Sequence, residues 1–286
     1  MAAFRPKSSE VLVGEFDHRR VWGPKPNYPH VKAWTRASGG VLWLYTPLIV
    51  LAGPCSVEDG MDLEFIAGML KRSGATKARG GLYRAGTYPG PNFGYKQVLA
   101  GKWSRACKKV GLGIVVEVLD IRLLDRVDEV ADSFQVGARH MQDYALLKEL
   151  SRSRKTVFLK RNPGSTLDEF LGAAEYLARG SCRPVLIERG SATRMNHVRW
   201  DLSISLIAAV KRMTGIPILV DASHGTGRRD LVRPMTMAGI AAGADGFLVE
   251  VHPRPERSLS DADQAYPLNS LAMLVNDANS VREAVT

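Results

Sequence analysis

Short runs of β-branched and aliphatic residues recur along the chain and alternate with stretches whose apolar positions fall three and four apart. The runs are LIVLAGPC (48–55), TKARGGLY (76–83), GIVVEVLD (113–120), SFQVGAR (133–139), TVFLKR (156–161), PVLIERG (184–190), PILVDASH (217–224) and GFLVEVHP (246–253), which predict eight strands. The clearest helical stripe is Leu167, Phe170, Leu171, Ala174 and Leu177. Thr166 precedes it and Glu169 follows three residues later, the pattern of a capping box. A second stripe, Leu268, Leu271, Val275, Ala278 and Val281, follows the last run. Successive strands start about 28 residues apart, the length a strand-helix unit needs. Eight such units predict an α/β chain folded as a (β/α)8 TIM barrel over residues 48–286, with a doubly wound sheet as the competing arrangement. Residues 1–47 lack a clear period and read as an N-terminal arm, with VLWLYTPLIV forming a short hairpin on the barrel floor.

Composition narrows the class of protein. At 286 residues, 45% hydrophobic and 24% charged, the chain can bury a sizeable core, which excludes a disordered or fibrous protein. The 39 Lys and Arg against 29 Asp and Glu leave +10, which favours an anionic partner without choosing among metabolite, nucleic acid and membrane. No basic helix with interleaved aromatics supports a nucleic-acid partner, and no apolar stretch supports a signal peptide or a membrane span. Three cysteines without CxxC spacing suit a reducing cytoplasm rather than a disulfide framework.

In a barrel of this kind reactive groups stand at the C-terminal ends of the strands. The runs end in or near Cys55, Arg79 and Arg84, Glu117 and Asp120, Arg139, Lys160 and Arg161, Glu188 and Arg189, Asp221 and His224, and Glu250 and His252. Cys55, His224 and Glu250, with Asp261 in the next loop, form a set that suits a borderline divalent cation such as Mn, Fe, Co or Zn. The alternative is a buried thiol beside a loop histidine. Arg79, Arg84, Arg139, Lys160 and Arg189 supply converging cations for phosphate and carboxylate, and point to a small polyanionic ligand. His252 is assigned to the opposite strand face from Glu250, as a group supporting the site rather than entering it.

The strings LAGPCSVE (51–58), ARGG (78–81), EVLD (117–120), QVGARHMQ (135–142), LKR (159–161), IERG (187–190), DASHGTGRRDLV (221–232), AAGADGFLVEVHP (241–253) and LSD (259–261) resemble the 3-deoxy-D-arabino-heptulosonate 7-phosphate (DAHP) synthases. The type I beta branch, whose barrel is shared with 3-deoxy-D-manno-octulosonate 8-phosphate synthase, is the nearest in pattern. The resemblance implies a transferase that joins phosphoenolpyruvate (PEP) to an aldehyde: a metal polarises the aldehyde, carbon 3 of PEP attacks it, water adds at carbon 2, and phosphate leaves. It places metal ligands on Cys55, His224, Glu250 and Asp261, PEP contacts on Arg79, Arg84, Arg139, Lys160 and Arg189, and catalytic roles on Arg84, Lys160 and His224. It also implies a homo-oligomer, a dimer or a tetramer.

The chain departs from the family on the acceptor side. Where the type I beta enzymes carry Lys-Pro-Arg-Thr-Ser, this sequence has Arg84-Ala85-Gly86-Thr87-Tyr88, so the arginine that grips the phosphate of erythrose 4-phosphate becomes Gly86. An acceptor side of Gly86, Thr87 and Arg161 suggests an acceptor other than erythrose 4-phosphate, in specialised metabolism. The alternatives are an ordinary DAHP synthase of the shikimate pathway, with Arg161, Arg228 or Arg229 taking the phosphate, and a degenerate barrel kept as a binding protein.

Overall fold

The computed structural model describes residues 28–37, 47–84, 94–95 and 97–286. Eight parallel strands pair in chain order: β1 (Ile49–Gly53), β2 (Lys77–Arg79), β3 (Gly113–Glu117), β4 (Ser133–Val136), β5 (Thr156–Lys160), β6 (Arg183–Glu188), β7 (Ile218–Asp221) and β8 (Gly246–His252). The ring closes where β1 pairs with β8, Ile49 opposite Gly246 and Gly53 opposite Glu250. The pair Tyr266–Pro267 adds a short parallel strand to β8 outside the ring. The predicted TIM barrel is therefore present, and every predicted run contributes a strand to it. The second run is shorter than predicted: it leaves the barrel at Arg79, and Tyr83–Arg84 pairs antiparallel with Gly94–Tyr95 instead.

Strand alternation divides the core into two layers. Leu51, Val115, Phe158, Val185, Ile187, Leu219 and Leu248 fill the barrel interior. Val50, Ala52, Ile114, Val116, Phe134, Val157, Leu159, Val220 and Val249 face outward into a larger apolar layer beneath the helices. Those helices are α1 (Leu63–Arg72), α2 (Gln97–Lys109), α3 (Leu124–Asp128), α4 (Tyr144–Ser151), α5 (Leu167–Ala178), α6 (Ile204–Thr214), α7 (Arg229–Ala241) and α8 (Leu271–Val285). Asp62 and Asp143 cap α1 and α4 by accepting backbone N–H groups, and Thr166 with Glu169 forms the full capping box of α5.

The arm before the barrel contains a helix that the sequence reading missed, Pro29–Ala37. It lies against α5 and α6 on the outside of the barrel. Tyr28, Val31 and Thr35 form its buried edge. The Tyr28 hydroxyl donates to Asp168 at 2.5 Å, and the backbone N–H groups of His30 and Val31 donate to Glu175, which caps the helix. Most of the predicted floor hairpin lies outside the described residues, while Ile49 and Val50 at its end belong to β1 and not to a hairpin.

Candidate active site

Extending the inward column of each strand by one step puts Arg79, Glu117, Lys160, Asp221 and Glu250 at the C-terminal mouth, so the alternation that packs the interior also aims these groups. Gly53 lets β2 close in at this end: a Cβ there would sit 1.8 Å from the carbonyl oxygen of Arg79. Arg79 Nη1 donates to Pro54 O at 2.7 Å and to Glu250 Oε1 at 3.0 Å. Glu250 Oε2 accepts from Gln264 at 2.6 Å, and Glu250 Oε1 lies 3.3 Å from His224 Nε2. On its other side His224 Nδ1 lies 2.8 Å from Asp221 Oδ2, which is 2.9 Å from Lys160 Nζ. Asp221 also accepts the His224 backbone N–H, capping the short helix Ala222–Thr226 that carries the imidazole.

This chain of charges sets the protonation of its members. Burial opposes ionisation of Asp221 and Glu250, but His224 and Lys160 around the first, and His224 and Arg79 around the second, hold both carboxyls well below the usual range. Burial alone would lower the His224 pKa; the two carboxylates raise it above that of a free imidazole. The Cys55 thiol is pushed well up by burial and by Glu250, against the pull of Arg79.

Cys55 Sγ donates to Asp261 Oδ2 at 3.2 Å, and donor atoms of Cys55, Glu250 and Asp261 lie within 4.8 Å of one another. His224, the fourth predicted ligand, is not part of that cluster; its Nε2 lies beside it, 3.3 Å from Glu250 Oε1. A thiol, an imidazole and two carboxylates in one corner fit a borderline divalent cation. Burial pushes the other two thiols, Cys107 and Cys182, up to about 12, with Asp132 adding to the rise at Cys107.

Beside the corner opens a cavity of about 400 Å³ lined by Arg79, Glu117, Arg139, Lys160, Arg189, Arg199, Trp200, His224 and Asp261 among others. Four of the five cations predicted to hold PEP thus share one cavity: Arg79, Arg139, Lys160 and Arg189. Arg189 is 7% exposed and lies over the Trp200 ring, its guanidinium carbon 5.6 Å from the ring centroid. Among the described residues no carboxylate lies within ion-pair distance of it. Burial lowers its pKa, and Asp221 partly offsets this.

Of Arg84 only the backbone is described, and Gly86 and Thr87 lie outside the described residues. The expectation that Arg161 grips the acceptor does not match its position. Its guanidinium forms a bidentate pair with buried Glu188 and donates to Ser191 Oγ and Ser165 O, so every direction is taken and the side chain turns away from the cavity. Arg229 donates to the carbonyls of Ala262 and Ala265, and Arg228 pairs with Asp230. His252 lies past the end of the ring, where β8 pairs with Tyr266–Pro267; it lines a separate cavity with Glu58 and Asp59, with Nε2 4.0 Å from Glu58 Oε2. Arg199, Trp200 and Gln264 were missed by the sequence reading; only Trp200, a lone aromatic in a polar stretch after β6, carried any signal.

A parallel barrel whose strand ends gather metal-type donors and anion-binding cations around one cavity defines a barrel enzyme acting on small anionic substrates. The sequence model described as the DAHP synthetase I family matches residues 45–285, and the chain belongs to that family. It is an enzyme of this transferase type. It is 39% identical over 237 residues to phospho-2-dehydro-3-deoxyheptonate aldolase of Thermotoga maritima, covering 82% of this chain and 70% of that one. A 2-dehydro-3-deoxyphosphooctonate aldolase of Desulfotalea psychrophila is 28% identical over 261 residues, covering 84% and 91%. Among solved structures, a truncated form of the 3-deoxy-D-arabino-heptulosonate 7-phosphate synthase of Thermotoga maritima superposes with a TM-score of 0.76 at 38% identity, over 83% of this chain and 87% of that one. No helix among the described residues is long and apolar enough to cross a membrane.

Proposed function

We propose that the protein condenses PEP with an aldose phosphate. The observation that carries this reading is the cavity that Arg79, Arg139, Lys160 and Arg189 line together with His224 and Asp261, Asp261 also belonging to the donor cluster of Cys55 and Glu250. The cations hold the carboxylate and phosphate of PEP by charge-assisted hydrogen bonds, and fix its carbon 3 toward the aldehyde. The new bond joins carbon 3 of PEP to the aldehyde carbon, and a water oxygen adds at carbon 2. The bond from carbon 2 to the bridging oxygen then breaks, and inorganic phosphate leaves with that oxygen. Lys160, held by Asp221 at 2.9 Å, presents an ammonium donor on the cavity wall, and His224 is kept charged or in fixed tautomer by Asp221 and Glu250. A divalent ion bound by Cys55, His224, Glu250 and Asp261 would act as a Lewis acid on the aldehyde oxygen.

Similarity to the Thermotoga heptonate enzyme favours erythrose 4-phosphate as the acceptor. The changed-acceptor reading keeps one observation on its side: Gly86 stands where the family's phosphate-gripping arginine falls, and Arg161 has no donor left to replace it. A cytoplasmic dimer or tetramer fits either reading, as do the three free cysteines. Phosphate release from PEP in Mn²⁺, with erythrose 4-phosphate beside unphosphorylated and longer aldehydes, decides the matter. Release with erythrose 4-phosphate that stops in EDTA is the expected result. Release only with another aldehyde establishes a changed acceptor, and no release with any aldehyde overturns the proposal.

A further inference from the structure

Arg189 is the member of the cation wall whose placement needs explaining. A buried guanidinium is ordinarily fixed by a carboxylate, as Arg161 is by Glu188 one strand away. Arg189 instead lies over an indole face. The difference has a chemical consequence. A carboxylate would hold the guanidinium but also neutralise it and occupy the donors an anionic ligand needs. An aromatic face orients the group through its quadrupole and leaves the donors at its edge unused.

The chain is built to bring that face in. Gly190 has φ +100, a conformation glycine adopts freely, and a Cβ there would lie 2.5 Å from the Cβ of Trp200. Ser191 and Asp201 exchange backbone hydrogen bonds at 2.8 and 3.0 Å, closing the loop after β6 into an antiparallel bridge with Trp200 at its end. The Trp200 N–H donates to Gly225 O at 2.9 Å, tying the loop to the turn that carries His224. Backbone contacts thus fix the Trp200 main chain on both sides, independently of any ligand, while its buried indole N–H makes no hydrogen bond.

We propose that Trp200 is a positioning residue for PEP, holding Arg189 over its aromatic face by a cation–π contact while leaving its charge for the substrate. This inference rests on the PEP reading above. Its test is calorimetric titration of PEP into the Mn²⁺-loaded protein, its Trp200→Phe and Trp200→Leu variants, and Arg189→Met with and without Trp200→Leu. A cation over an aromatic ring contributes about 0.5–2 kcal/mol, so Trp200→Leu should weaken PEP binding about 2- to 30-fold and raise the KM for PEP in step, with kcat changed less than twofold. Trp200→Phe, which keeps a weaker face, should fall between. In the Arg189→Met background, where no cation is left over the ring, Trp200→Leu should add nothing. PEP should also change the tryptophan fluorescence of the wild type, and that change should vanish in Trp200→Phe. A wild type that binds PEP beside a Trp200→Leu variant that binds it equally well overturns this inference alone. Equal losses from Trp200→Leu in both backgrounds do the same, because they show a general structural role. A wild type that does not bind PEP overturns the functional reading and this inference with it.

Discussion

The two walls of the mouth carry the same kinds of charge in different company. On the metal-type wall Arg79, Glu250, His224, Asp221 and Lys160 form one continuous run of ion pairs, each neutralised by its neighbours before any ligand arrives. Just after β6, between the strands that carry Lys160 and Asp221, Arg189 lies over an indole and has no ion-pair partner among the described residues. The first wall is organised by the fold itself, and its buried charges are tolerable because they are paired. The second is an arginine oriented by packing, with its charge supported by the field of Asp221 and not by an ion pair. On the proposed reading, the contrast lets one cavity serve a cation-ligating corner and a polyanionic substrate.

The largest expected effect comes from the support behind the second wall. Glu188 is fully buried, accepts from Arg161, Gly190 and Ser203, and precedes Arg189 in sequence. Glu188→Leu leaves Arg161 buried and unpaired, and should cost about 3–5 kcal/mol of unfolding free energy in urea titrations. If Arg161 gripped the acceptor instead, stability would hold and the KM for the aldehyde would rise.

On the paired wall, Lys160→Met removes the ammonium that Asp221 holds over the cavity. The rate of phosphate release should drop about 10²- to 10³-fold, the loss typical of one preorganised charge stabiliser. A rate within fivefold of the wild type would mean that Lys160 only neutralises Asp221.

The smallest effect is a matter of pH. The Asp221 carboxyl sits below its unfolded value, so its stabilisation is complete above about pH 4 and disappears as pH falls toward the folded value. In the metal-free protein, Asp221→Asn should be less stable than the wild type at pH 7, and the gap should narrow on acidification. A gap that stays constant from pH 7 to pH 3 would show that Asp221 acts by hydrogen bonding without its charge.

Much of this molecule is legible in its linear order. Most barrel strands announce themselves as aliphatic runs, because a strand buried on both faces needs apolar residues at nearly every position; β2, which is Lys77, Ala78 and Arg79, does not. The capping box of α5 was equally plain, since its bonds run between Thr166 and Glu169. The helix Pro29–Ala37 was not. Its buried edge of Tyr28, Val31 and Thr35 is set in an otherwise polar segment, and it is held by Asp168 and Glu175 on a distant helix. The neighbours Lys160 and Arg161 look alike in sequence, yet the strand turns one into the cavity and the other toward Glu188. Reading the strand ends identified which residues were reactive, but not which were already committed to one another.

By itself the sequence determined the number of strands, their order and the residue types at their ends, because alternation, capping and turn preferences act over a few residues. Only the tertiary structure decided the partnerships. Cys55 meets Asp261 across 206 positions and Arg79 meets Glu250 across 171, contacts that exist because the first and last strands close the ring. No local rule links residues so far apart; the closure of the barrel does.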